Sequence, residues 1–467
     1  MPGVPLGLTS YRRRGARTAE VALVNMLVEK DPTNQIDGLL RFQRPGLASW
    51  ATVGDGPIRG IFRRLGVLSS LYYVVSGTSL YSVTTAGVST LLGSITGTDL
   101  VSIDGSASRL IVVSEGVAYS WDGTSLTTIT VPDIDSVASP ISCVVYINGY
   151  FILPVLDSQH FFWLAPGDTN PDALNFASAE NSPDNIIVAS RLQDEIWFFG
   201  SQTTEVFQLT GDSDAPFQPI GGRLYERGCA NKDALATLDN TLFFIGNDLI
   251  AYRCDTTPIR ISDHSMEERL RVAGANNLRA WAFEIDGHTL YSVRCANVGT
   301  FVYDVENQNW LRFKSYSQDY WRAHLGVQVS GDLVIAGDDT NGTLWQLDQA
   351  RSNDNGDPLE RELTGGVTVL GKPQKCRDVS LAVPVGWSDI VGPATNPKVS
   401  LRYSDDGGNI WSSWLELALG LQGQYITEVI ARRLGIIRSP GRLFNIRMTD
   451  DAIFRISYMR MNEGDSI

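Results

Sequence analysis

Histidine is scarce in this chain, and cysteine is sparse and unpaired. The four histidines, His160, His264, His288 and His324, stand in separate segments, and no two share a metal-ligand spacing. The five cysteines, Cys143, Cys229, Cys254, Cys295 and Cys376, include no Cys-x-x-Cys pair and are odd in number. They read as reduced core thiols of a protein made in a cytosol, without a disulfide framework. Long apolar runs are missing too. "LIVV" and "IWFF" fall far short of the roughly 20 residues that cross a bilayer, so no membrane insertion is expected. The opening "MPGVPLGLTSYRRRGAR" carries no apolar stretch behind its charges, so it does not read as a signal peptide. Positive charge is outnumbered: 38 Lys and Arg stand against 52 Asp and Glu, a net charge of −14. A protein that grips DNA by its phosphates needs the opposite sign. Solubility accounts for the acidity without any function.

What is abundant is glycine, serine, threonine and valine, with tyrosine and tryptophan spread along all 467 residues. That mixture suits strands joined by tight turns, and the length suits two or three domains. From about residue 58 to 350 a cadence repeats. Short apolar runs are broken by dipeptides such as Asp104-Gly105, Asp122-Gly123, Asn148-Gly149, Asp286-Gly287 and Asn341-Gly342, the chemistry of two-residue hairpins. "RGIFRR", "LYYVVSG", "SLYSVTT" and "STLLGSI" make one unit. "LVSIDG", "RLIVVSEG", "VAYSWDG" and "SLTTITV" make the next. Units of four short strands at this period are propeller blades. The reading is all-β, with seven blades favoured and six open, because weak strands are easily miscounted. The seventh unit lacks its fourth strand, and "GLLRFQRPGLASWATV" (residues 38–53) is placed to supply it.

Residues 1–35 read as an N-terminal arm, 36–350 as the propeller, 351–362 as a polar linker and 363–467 as a β-sandwich-like domain. One segment reads as helix, "SDHSMEERLRVAG" at 262–274, with a capping start, acids early, arginines late and a terminal Gly.

Several motifs offer chemistry. "YSDDGGNIWSSW" spells Ser-x-Asp-x-Gly-x-x-Trp through Ser404, Asp406, Gly408 and Trp411, the Asp-box hairpin of sialidases. That motif stabilises a turn and performs no reaction. A sialidase also needs an arginine cluster, a tyrosine nucleophile and an acid in the propeller cleft. Here the box occurs once, outside the repeats, so it reads as a structural turn. A carbohydrate-active or carbohydrate-binding propeller is the alternative it suggests. "GVTVLGKP" imitates a phosphate-binding loop, but Pro373 replaces the Ser or Thr that binds magnesium. Asn353, Asn355 and Glu362 imitate a calcium loop, but Arg351 stands at its first ligand position. No nucleophile elbow accompanies the histidines. No catalytic, cofactor-binding or metal-binding residue is assigned. Two arginine clusters remain: Arg12, Arg13, Arg14 and Arg17 in the arm, and a set including Arg432, Arg433, Arg438 and Arg442, with Arg447, Arg455 and Arg460 beyond. They read as solvated faces or as surfaces meeting acidic patches of neighbouring subunits or partners.

Three stretches carry a resemblance. They are "LVNMLVEK" with "LLRFQRPGL" (residues 23–47), "SAENSPDNIIVASRLQDEIWFFGSQTTEVFQLTGD" (178–212), and "YITEVIARRLGIIRSPGRLFNIRMT" (425–449). In the second, Pro183-Asp184, Phe199-Gly200, Glu205, Phe207 and Leu209-Thr210-Gly211 follow the pattern most closely. The chain resembles, over nearly its whole length, the packaged-DNA stabilisation proteins of short-tailed bacteriophages, also called tail accessory or nozzle proteins. The resemblance implies a non-enzymatic virion protein without cofactors, assembled in the host cytoplasm. It implies a ring of six copies below the portal and adaptor. The ring extends the DNA channel, retains the packaged genome and attaches a tail needle, tailspike or fibre. DNA then passes without specific binding, which the acidic composition suits.

Overall fold

The structure is a computed structural model, described here for residues 3–12, 21–34, 36–134, 136–179, 182–212, 215–369, 372–388 and 394–463. Seven four-stranded antiparallel units follow one another around a ring. Their first strands are Ile58–Phe62, Ser102–Gly105, Val145–Ile147, Ile186–Leu192, Leu235–Leu238, Leu278–Ile285 and Ala323–Ser330. Neighbouring first strands touch around the axis from Leu235–Leu238 on through Ala323–Ser330, which returns to Ile58–Phe62, and on to Ile186–Leu192. The molecule therefore carries a seven-bladed propeller.

The second strand of a blade is covered on both faces by adjacent blades. That explains why "YYVVS", "LIVVS" and "TLFFI" are unbroken apolar runs, buried at every position, where a half-exposed strand would alternate. Turn chemistry sets the ends. Asn148-Gly149 and Asp286-Gly287 have positive φ at both residues, as a two-residue hairpin turn of type I′ requires. Asp104-Gly105 differs from the expectation: it ends the strand Ser102–Gly105, and the chain turns over the next four residues.

The seventh blade takes its outermost strand from the other end of the sequence. Gly46–Thr52 runs antiparallel to Thr343–Asp348, pairing Gly46 with Asp348 and Thr52 with Thr343. Gly342 lets the two segments meet. A Cβ there would lie 2.3 Å from the carbonyl oxygens of Val53 and Gly54.

Beyond the propeller, two sheets face each other. One contains Arg361–Thr368, Gly441–Met448, Lys398–Ser404 and Leu415–Ala418. The other contains Gln374–Ala382, Tyr458–Glu463, Ile430–Arg432 and Ile436–Ile437. Leu363, Val379, Val399, Leu401, Phe444, Ile446 and Met459 fill the space between them. This is a β-sandwich, and its core is continuous with that of blades six and seven.

The residues read as an arm are built into this junction. Gly3–Val4 borders Tyr458–Glu463. Leu23–Val24 lies between the outer strand of blade six and Arg361–Thr368, joining propeller and sandwich in one nine-stranded sheet. Met26–Lys30 and Leu39–Gln43 form a hairpin that pairs with Arg455–Ile456. The residues read as a linker are equally engaged: Asn353–Asp354 pairs with Leu47 beside the seventh blade. The helix His264–Ala273 connects blades five and six. Asp263 caps it by accepting from the Met266 N–H at 2.7 Å, and Gly274 ends it at φ 79°.

Candidate functional site: axial cavity and charged surfaces

The first strands of all seven blades line one axial cavity of about 440 Å³. Arg59, Arg64, Asp104, Arg191, Lys232 and Asp233 supply its charge, and no tyrosine lines it among the described residues. Arg59 is spent on structure. Its guanidinium donates to the carbonyls of Asp99 and Gly77 at 2.6 and 2.9 Å and to Ser114 Oγ at 2.6 Å. Arg64 pairs with Asp104 at 2.9 Å, and Asp104 Oδ2 accepts from the Tyr146 N–H at 2.8 Å. Burial pushes the Asp104 and Asp233 carboxyls above the ordinary carboxylate range, against the pull of nearby cations.

The four histidines lie apart. His324 is buried against the Ile58 carbonyl at 2.9 Å, and burial lowers its pKa to about 3. His288 pairs with Asp304 at 2.9 Å. His160 meets Ser158 at 2.8 Å across a turn, and His264 sits at the helix start, 3.6 Å from Glu267. All five cysteines are free and buried. Among the described residues no cluster of His, Cys, Asp or Glu is placed to hold a metal ion, and no helix is long and apolar enough to cross a membrane.

Ser404, Asp406, Gly408 and Trp411 fall in the turn between Lys398–Ser404 and Leu415–Ala418. Asp406 Oδ1 accepts from Ser404 Oγ at 2.7 Å and from the N–H groups of Asn409 and Ile410 at 3.0 and 2.9 Å. The Ile410 bond leads the causes that hold its carboxyl below the usual range. Ser404 Oγ in turn accepts from the Gly408 N–H at 2.9 Å. Trp411 lies against the guanidinium of Arg402, which also faces Trp414, while Arg447 covers Trp414 at 4.2 Å. This arginine–tryptophan stack was not legible from spacing, since its arginines come from two strands, Lys398–Ser404 and Gly441–Met448, and its tryptophans from the turn that precedes Leu415–Ala418.

The loop and calcium look-alikes dissolve into other roles. Val367 and Thr368 belong to a strand. Asn353 is bound to Asp451, and Glu362 to Asn445.

Of the arginines, Arg13, Arg14 and Arg17 lie outside the described residues. Arg12 is exposed, and its N–H donates to Ser265 Oγ. Arg432, Arg433 and Arg438 are exposed. Arg442 corrects the sequence reading. Its guanidinium is buried, bonded to Asp405 at 2.6 and 2.7 Å, and stacked 4.0 Å from the Tyr403 ring. It clamps the Asp406 turn and has no face left for a partner.

The most specific stretch of the resemblance, residues 178–212, has a structural explanation. Asp184 accepts from the N–H groups of Ser201, Gln202 and Thr203 at 3.0, 2.7 and 2.7 Å. Burial opposes its ionisation, but these donors and the Ser201 and Thr203 hydroxyls outweigh it and keep the pKa low. Gly200 must lack a side chain, because a Cβ would lie 2.2 Å from Asp184 Oδ2.

Fold and surfaces thus define a non-repeating fusion of a seven-bladed propeller and a β-sandwich, knitted by an N-terminal segment. Residues 4–352 match the family model described as Bacteriophage P22 Gp10, beta-propeller, and residues 369–463 match Bacteriophage P22 Gp10, beta-sandwich. The chain belongs to this family of packaged-DNA stabilisation proteins, which are phage structural tail proteins. A comparison with curated proteins gave no match. Solved structures similar to the chain include BBS1N in complex with ARL6DN, at 10% identity and TM-score 0.43, covering 65% of this chain and 97% of that one. Another is the extracellular domain of a putative one component system, BT4673, from B. thetaiotaomicron. It is 11% identical at TM-score 0.45, covering 87% of this chain and 60% of that one. Likenesses at this level carry no argument about this protein.

Proposed function

We propose that this phage structural protein is a subunit of the tail nozzle, six copies forming a ring below the portal and its adaptor. The ring extends the DNA channel, helps retain the packaged genome and offers attachment to a tail needle, tailspike or fibre. Assembly takes place in the host cytoplasm. The observation that carries the reading is the joint match of both domains to one family of phage tail proteins, over nearly the whole chain. The architecture supports a rigid wall element, because propeller and sandwich share a nine-stranded sheet.

The propeller's own axis is not the DNA path in this proposal. A cavity of about 440 Å³ crowded by side chains is too small for a duplex whose major groove alone is about 12 Å wide. The passage lies between copies. An acidic wall would repel phosphates and let DNA slide, whereas a wall of Lys and Arg would hold it by counterion release. The carbohydrate reading finds little support. The Asp406 turn lies in the sandwich, and no tyrosine lines the axial cavity among the described residues.

Electron microscopy of the full chain, alone and with adaptor-bearing portal, tests the proposal. A closed ring with an opening wide enough for duplex DNA and a wall dominated by Asp and Glu is the expected result. Solitary monomers on the adaptor, or an arginine-dominated wall with retardation of duplex DNA, would overturn it.

A further inference from the structure

The chain's charge is divided between its domains. Residues 363–467 carry 12 Lys and Arg against 10 Asp and Glu, while residues 1–362 carry 26 against 42. The sandwich is thus slightly basic and the remainder strongly acidic.

The basic excess is concentrated at one sheet edge. The strand Gln374–Ala382 pairs there with two short strands, Lys375 opposite Ile436 and Asp378 opposite Arg432. The Arg433 N–H donates to the Arg377 carbonyl at 2.8 Å. This registration gathers Lys375, Arg377, Arg432, Arg433 and Arg438, all exposed, around the partly exposed apolar side chain of Ile436. Acids reach only two of them, loosely: Asp378 at 3.8 Å from Arg377 and Glu428 at 4.0 Å from Arg432. Lys375, Arg433 and Arg438 have no ion pair among the described residues. Charged side chains do guard sheet edges against stray pairing. These edge strands, however, have three and two residues, and such short edges are already poor templates. Five cations exceed that need.

A complementary surface lies on the propeller. In a four-stranded meander, the turn between strands one and two and the turn between strands three and four leave the blade at the same end. In blades three to five this end presents Asp168, Asp172, Asp194 and Asp239, whose exposed carboxylates form no ion pair among the described residues; two arginines stand beside them, Arg109 donating to the Asp168 carbonyl and Arg191 lining a groove with Asp239. At blade six the same end is occupied by the chain itself, where Asp286 sits with Leu27, Phe42 and Arg455 around a small cavity. The open acidic face is therefore that of blades three to five.

We infer that the Lys375–Arg438 strip of one copy docks on the acidic turn face of blades three to five of a second copy. This rests on the ring reading above and names the surfaces that would build the ring. The contact is heterologous, each copy offering one surface to each neighbour, the arrangement that closes a ring when its rotation closes. Duplex DNA is the less fitting occupant, because the acidic bulk of the chain repels phosphates. Contacts of this kind govern association rate and salt dependence, since exposed charges are screened by salt.

The test follows assembly of the full chain by sedimentation velocity at about 0.05 and 0.5 M salt, where screening differs strongly. The triple variants are K375E/R433E/R438E and D168K/D194K/D239K, with thermal melting confirming that each folds. The parent should assemble more readily at low salt. Each triple variant should weaken assembly about tenfold or more, and mixing the two variants should restore it through swapped charges. If both variants assemble like the parent, the strip is not the seam while the ring reading stands. If the parent never self-associates at either salt, the self-assembling ring fails and this contact with it. If the parent retards duplex DNA and K375E/R433E/R438E does not, while assembly is unchanged, the strip is a phosphate-binding surface and the inference is overturned.

Discussion

Arg44 and Asp354, 310 residues apart in sequence, form a bidentate ion pair at 3.0 and 2.7 Å with side chains 0% and 1% exposed. Arg44 also donates to Asn25 Oδ1 at 2.9 Å, and its guanidinium lies 5.4 Å from the centre of the Trp321 ring. One side chain thus ties the N-terminal segment, the seventh blade and the segment leading to the sandwich.

Removing one partner leaves an uncompensated buried charge. Asp354→Ala should destabilise the protein by about 3–5 kcal/mol, and the double variant Arg44→Met/Asp354→Leu should recover much of that loss. Chemical denaturation of the three proteins checks this. Equal losses in the single and double variants would show that the charge itself is not the issue.

The strand Gly46–Thr52 supplies the seventh blade's missing edge, and Leu47 within it is fully buried. Leu47→Ala should cost about 2–5 kcal/mol, as core truncations do. Deleting residues 1–53 strips the closing strand and the junction strands together, and should give aggregating protein. Soluble deletion protein that melts like the parent would refute closure by this strand.

Gly200→Ala should destabilise by about 1–3 kcal/mol, because the new methyl group intrudes on the Asp184 carboxylate and overpacks a full site. Amide exchange should quicken at Ser201, Gln202 and Thr203, which donate to Asp184. Unchanged exchange there would argue against this cause.

His324 makes stability depend on pH. Its folded pKa is lowered to about 3 from 6.5, so below pH 6.5 the unfolded chain binds a proton that the folded chain refuses. Stability should therefore fall as pH drops from 6.5 toward 3, by about 2 kcal/mol at pH 5 from this residue. Carboxylates with depressed pKa, such as Asp184, act in the same direction below their unfolded pKa. In His324→Gln the slope between pH 7 and 5 should flatten, read from melting curves. A slope identical to the parent's would remove His324 as its source.

Asp406→Ala should loosen one turn and leave the domain folded, since Asp406 is exposed and its bonds are local. Faster amide exchange at Asn409 and Ile410 with little change in melting is the expected pattern. A large fall in Tm would assign the turn a wider role.

The sequence by itself determined what depends on neighbours along the chain. Apolar runs bounded by Asn-Gly and Asp-Gly turns make four-stranded meanders, because burial between blades favours the runs and positive φ favours the turns. The helix at 264–273 was equally legible from its Asp263 cap and Gly274 stop. Tertiary structure decided what depends on distant residues meeting. Asp354, read as linker, is a buried ion-pair partner, and Asn353, read as a calcium-like ligand, pairs with Pro358 and donates to Asp451. Arg442, read as a surface cation, is buried beside Asp405 and Tyr403. Its charge says nothing of burial, because a guanidinium enters a core wherever carbonyls and a carboxylate surround it, and those arrive from other strands. The N-terminal residues, polar and turn-rich in isolation, become the mortar between two domains only when both supply the edges that satisfy their backbone N–H and C=O groups.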